Sequence, residues 1–181
     1  MTSIEKYWKI WDLKPYNDRT EIPVFPMMVT TYGAITGRTQ AEITTDKNHF
    51  ENWLNAVEET WGIIGKPDCA MFCCPRDTAF AMGLPARYPG IDIDENIPYQ
   101  FVEKPYFESR EEYKKILDIG WEQWYFQYMM NIQNPVMTDP RQLADRYQEL
   151  GTHVGQIMKF LYERDVMPAG DTVVYPILDN I

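Results

Sequence analysis

Three short apolar runs, separated by long polar or helical stretches, constrain this chain more than any other feature. They are "EIPVFPMMV" at 21–29, "DCAMFCC" at 68–74 and "DTVVYPILDNI" at 171–181. Each has the length of a strand, and the segments between them are far too long for hairpin loops. Runs spaced in this way share a sheet only through crossover connections, which makes them parallel. The spacing therefore predicts an α/β unit of about three parallel strands with flanking helices, the strands centred near Val24, Met71 and Val173.

The intervening segments read as helices. Glu5–Trp11 is a short amphipathic helix with Trp8 and Trp11 near one face, stopped by Pro15. Gly33 and Gly37 make the stretch after the first run a flexible loop. From Asp46 onward, Phe50, Trp53, Leu54, Val57, Trp61 and Ile64 recur at spacings of three and four down to Gly65, the clearest helical period in the chain. Four prolines and the acidic "DIDEN" interrupt any helix between 85 and 107, leaving Tyr99–Val102 as a short strand. Ser109-x-x-Glu112 is a capping box opening a third helix, bent near Gly120 and continuing through "WEQWYFQYMM" at 121–130. Asp139 and Pro140 start a fourth helix, to about Arg164, that buries Leu143, Tyr147, Leu150, Val154, Ile157, Met158 and Leu161.

Composition narrows the function classes. With 181 residues, 45% apolar and 14% aromatic, the chain fits a single domain, 1–181, with a sizeable core. A net charge of −10 and the lack of a basic patch exclude nucleic acid as a ligand. The N-terminus has no signal-peptide core, and no apolar run reaches the roughly 18 residues of a spanning helix, so neither export nor membrane insertion is expected and the chain is read as cytoplasmic. Cys69, Cys73 and Cys74 are an odd set close in sequence, consistent with reduced thiols rather than disulfides.

"IPVFPMMVTTYGAITG", "PDCAMFCCPRDTAFAMGL" and "TVVYPILDNI" resemble, in order, the first three strands of the uroporphyrinogen decarboxylase-like family, with Ala81-Met82-Gly83 the best single element. That family has a (β/α)8 barrel fold and includes cobalamin-dependent methyltransferases. The resemblance implies a partial barrel unit, the N-terminal portion of a longer barrel, since a complete one needs about 250 residues. It also implies a small-molecule substrate, a corrinoid reached through a partner protein with no tightly bound cofactor, and association with a second copy or with a C-terminal half. Two departures set the branch. Met28 and Tyr32 stand where the decarboxylases carry carboxylate-binding arginines, and Cys74 stands at the position of their substrate-binding aspartate, with Asp77 the nearest acid. Porphyrinogen decarboxylation is disfavoured, and corrinoid-linked methyl transfer fits better. Zinc in that branch is bound by the half lying beyond these strands.

Within "FCCPRD", Cys74 and Asp77 are the candidate catalytic residues and Arg76 a substrate contact, because they follow a strand at its carboxyl end, where barrel enzymes build their sites. Core thiols, an Arg76–Asp77 contact and an Asp77 helix cap are equally open readings. Tyr32 reads as a ligand hydrogen-bonder or a packing lid, and Arg87 with Tyr88 as a second anion-contacting edge or as solvated loop residues. The run 121–130 reads as the lining of a corrinoid-sized pocket or as core and interface. No metal site is expected: the cysteines lack the C-x₂₋₄-C spacing with a second ligand pair, and neither His49 nor His153 is placed by sequence to complete one. His49 receives no role. The competing function is a non-catalytic half-barrel module that docks to a C-terminal half or a corrinoid protein.

Overall fold

Helices form where the apolar period is strongest. The computed structural model describes the chain apart from residues 27, 82–85, 103–108, 133–139 and 170–181, and apart from the side chains of 20, 128–132 and 140–143. Helix α1 spans Ser3–Trp11 and is closed by a capping box, Thr2 Oγ1 accepting from the Glu5 N–H while the Glu5 carboxylate accepts from the Thr2 N–H. Trp8 and Trp11 stay exposed. Helices α2, Thr31–Thr36, and α3, Gln40–Thr44, occupy the stretch expected to be a flexible loop. A second capping box, Thr39 with Glu42, holds α3. Gly33 is a packing glycine, because a Cβ there would lie 2.9 Å from Ile43 Cδ1.

Helix α4, His49–Ile64, buries Trp53, Val57 and Trp61 and ends at Gly65, whose φ of 95° suits glycine. Ile64, the last residue of the predicted stripe, is exposed. Helices α6, Arg110–Ile119, and α7, Trp121–Ile132, break at Gly120, with φ of 86°. Helix α8, Pro140–Glu163, begins with the proline read as its start and buries Leu150, Ile157 and Leu161.

Among the described residues the three-stranded parallel sheet, and with it the partial barrel unit, is not formed. The described residues are mostly helical and contain two small sheets of two-residue strands. Strand β1, Cys69–Ala70, pairs parallel with β4, Met167–Pro168, while β2, Ala86–Arg87, pairs antiparallel with β3, Gln100–Phe101. The run at 21–29 fails as a strand because Pro23 and Pro26 remove donors on either side of Val24. The Val24 carbonyl accepts from the N–H groups of Asp68 at 3.0 Å and of Cys69, the first residue of β1, at 3.1 Å. Val24 and Phe25 remain exposed, while Met28 packs against the core. The second run leaves the ladder after Ala70, since Pro75 opens helix α5, Pro75–Ala81. The third run lies outside the described residues. The parallel neighbour of β1 comes instead from the segment just after α8, where Pro168 offers no N–H to a further strand.

One core joins these pieces: Tyr32, Ile43, Trp53 and Val57 meet Ala70, Phe72 and Phe80, and α8 closes over them with Leu150, Ile157 and Leu161. Among the described residues no helix is long and apolar enough to cross a membrane. Asp68 seats α1 and the Val24 segment on this core. Its Oδ1 accepts from Ser3 Oγ at 3.2 Å and Lys6 Nζ at 2.8 Å, and its Oδ2 accepts from the Val24 N–H at 2.9 Å. Burial pushes the Asp68 carboxyl up, but Lys6, the Val24 N–H and Ser3 outweigh it and hold it below its ordinary value. A carboxyl lowered by folding stabilises above its unfolded pKa of about 4, and that contribution fades as pH falls through the lower folded value. Asp68→Ala should destabilise the chain at neutral pH by about 1–3 kcal/mol in urea unfolding. The gap to the unsubstituted chain should narrow below about pH 4. An unchanged midpoint at neutral pH would show that this carboxylate fastens nothing.

Candidate functional site

At the carboxyl end of β1, Cys74 is the last residue before α5, and Pro75 is the first helical one. The Thr78 N–H donates to the Cys74 carbonyl at 2.8 Å, which closes the first turn and brings Asp77 back beneath Cys74. Asp77 is wholly buried. Its Oδ2 accepts from Cys74 Sγ at 3.0 Å and from His153 Nδ1 of α8 at 2.7 Å. The His153 ring lies flat on Phe50 of α4, with centroids 4.0 Å apart and planes 6° apart. His49, the first residue of α4, meets His153 edge-on at 5.7 Å. One ligand atom from each of His49, Cys74, Asp77 and His153 falls within 4.8 Å of all the others.

The hydrogen bonds fix the His49 tautomer. Its Nδ1 lies 2.9 Å from the Asp46 carbonyl. A carbonyl only accepts, so Nδ1 carries the proton and Nε2 presents a lone pair. The Arg76 guanidinium, 3.5 Å from the same Nδ1, is therefore a neighbour and not a donor to it. His49 Nε2 and Asp77 Oδ1 are both buried without a hydrogen-bond partner. Burial, reinforced by the Arg76 charge, pushes the His49 pKa down, which favours the neutral imidazole. Burial and then the Asp77 carboxylate push the Cys74 thiol far up, and the same two causes take Cys73 to about 12. Neither thiol is a ready nucleophile at neutral pH.

A cationic edge adjoins this cluster. Arg76 of α5 and Arg146 of α8 repel one another, and both act on the Tyr88 phenol, whose pKa is raised by burial and pulled back by the two guanidinium groups. Arg146 is anchored by an ion pair with Glu149 and lies over the Phe80 ring.

Of the residues singled out from sequence, Cys74 and Asp77 are brought together, and Arg76 and Tyr88 lie beside them. Arg87 is exposed on β2. Tyr32 is 2% exposed and packs edge-on against Trp53. The side chain of Asp77 bonds to side chains and does not cap α5. His49 and His153, which spacing alone left out, complete the cluster.

No protein family, curated protein or solved structure matches the chain. Cys69, Cys73 and Cys74 are all unpaired and buried. A disulfide-exchange reagent should therefore label fewer than about one thiol per folded chain at neutral pH, and all three after unfolding. Rapid labelling of Cys74 in the folded chain would mean that the turn before α5 is open to solvent.

Proposed function

We propose that the chain is part of a uroporphyrinogen decarboxylase-like protein that works in corrinoid-linked methyl transfer rather than porphyrinogen decarboxylation. The observation that carries this is the gathering of a thiol, a carboxylate and two imidazoles at the carboxyl end of β1, beside Arg76, Arg146 and Tyr88. A small acid suits the cationic edge, since guanidinium groups clasp carboxylates by paired N–H donors. Asp77 and Cys74, both fully buried, act from behind by fixing the turn into α5 that carries Arg76. A corrinoid carried by another protein would supply the methyl group, and this chain's part would be to hold the acidic acceptor at the Arg76 and Arg146 edge.

Porphyrinogen decarboxylation is opposed by residue chemistry. Met28 and Tyr32 offer no positive charge, and a carboxylate as sealed as Asp77 cannot reach pyrrole N–H groups. The non-catalytic docking module is the second reading, and it is favoured by the two thiols held protonated. Its contact would be α7, where Trp121 and Phe126 are exposed and Trp121 stacks on Trp124 at 5.2 Å.

The test mixes the protein with methylcobalamin and a small acidic thiol and follows loss of the methylcobalamin spectrum. Methyl loss is expected, with Arg76→Ala raising the KM for the acid about tenfold or more. Uroporphyrinogen should not be consumed. Consumption of uroporphyrinogen without any methyl loss would overturn the proposal, and corrinoid-protein binding without methyl loss would favour the docking module.

A further inference from the structure

We propose that His49, Cys74, Asp77 and His153 are the four ligands of a divalent transition-metal site, best matched to zinc, which joins α4, α5 and α8. It does not depend on the methyl-transfer reading.

The donor set points to this class of ion. Two imidazole nitrogens, one sulfur and one carboxylate oxygen suit zinc, whereas magnesium and calcium prefer oxygen alone. Zinc bonds of about 2.0–2.3 Å at tetrahedral angles place ligand atoms about 3.3–3.8 Å apart. Here the two hydrogen-bonded pairs are closer, at 3.0 and 2.7 Å, and no pair exceeds 4.8 Å. An ion at the centre replaces those two hydrogen bonds and needs side-chain shifts of only about 1 Å.

Two features of the His49 ring favour an ion here. His49 Nε2 is a buried lone pair with nothing to accept from, and leaving such a group unsatisfied is costly. The Asp46 carbonyl that holds the opposite His49 nitrogen is the outer support commonly found behind a metal-bound imidazole. Arg76 faces that same Nδ1 side of the ring, away from Nε2.

Charge also balances. On loading, the Cys74 S–H bond breaks, a sulfur–metal bond forms and one proton leaves to solvent, while the proton on His153 Nδ1 moves by way of solvent to Nε2, so that Nδ1 offers its lone pair and the ring stays neutral. The thiolate and the Asp77 carboxylate then offset the two positive charges, with two neutral imidazoles completing the set. Four protein ligands leave no open position, which makes this a structural centre and leaves substrate to the arginine edge.

The test reconstitutes the protein with zinc, removes free metal and measures metal content, then repeats the loading with cobalt(II). About one zinc per chain is expected, together with a thiolate-to-cobalt charge-transfer band and the visible bands of tetrahedral cobalt. Cys74→Ser and His153→Gln should fall below about one-tenth of that content, whereas Cys73→Ser, altering a buried neighbour outside the set, should keep it. Failure of the unsubstituted chain to retain zinc would overturn the proposal. So would cobalt bound without the thiolate band, a result read on unsubstituted protein and so independent of whether the variants fold. Zinc retained in full by Cys74→Ser would do the same.

Discussion

A carboxylate with no exposed surface must be satisfied by what surrounds it, and Asp77 sets that requirement at the centre of this fold. Stripping water from an unpaired carboxylate costs several kcal/mol. Asp77 recovers that through Cys74, three residues earlier, and through His153, 76 residues later. The first contact shapes the turn from β1 into α5, and the second fixes the rotation of α8. Phe50, stacked on the other face of His153, then brings in α4. Exposed ion pairs such as Arg38–Glu59 and Arg164–Glu58 contribute about 0–1 kcal/mol each and cannot organise the helices to the same degree.

The strands position this turn but do not carry the fold. The β1–β4 ladder is held by the Met167 N–H on the Asp68 carbonyl at 2.7 Å and the Ala169 N–H on the Ala70 carbonyl at 2.8 Å. Apolar burial is the larger quantity, at about 1.5–3 kcal/mol for each fully buried large side chain. Trp53, Leu150, Ile157 and Leu161 supply it from α4 and α8. The result is a helical core with one short parallel pair threaded through it, and the carboxyl end of that pair opens on the cluster and the arginine edge.

Helices α4 and α8 were legible because their periods are long, whereas the short α2 and α3 fall in the stretch read as a flexible loop. Trp53, Val57 and Trp61 on α4, and Leu150, Ile157 and Leu161 on α8, are buried as their spacing requires. The strands were not legible, because strand length in an apolar run says nothing about whether its donors survive, and Pro23, Pro26, Pro75 and Pro168 each end or prevent pairing. Cys74 and Asp77 stood out through their place after an apolar run. The two histidines did not, since they are far apart in sequence, yet both carried a local signal. His153 falls between Leu150 and Ile157 on the buried stripe of α8, and His49 extends the Trp53–Val57–Trp61 stripe by one turn. A polar ring set into an apolar stripe demands a buried partner.

The central claim is that Asp77, Cys74 and His153 act as one coupled unit that joins α5 to α8, and a double-mutant cycle measures that coupling directly. Unfolding free energies of Asp77→Asn, His153→Gln and the double variant should deviate from additivity by about 1–3 kcal/mol, each single change costing most of what the pair costs together. Additive effects within about 0.5 kcal/mol would show that the carboxylate and the imidazole are neighbours without a shared role, and would contradict the account.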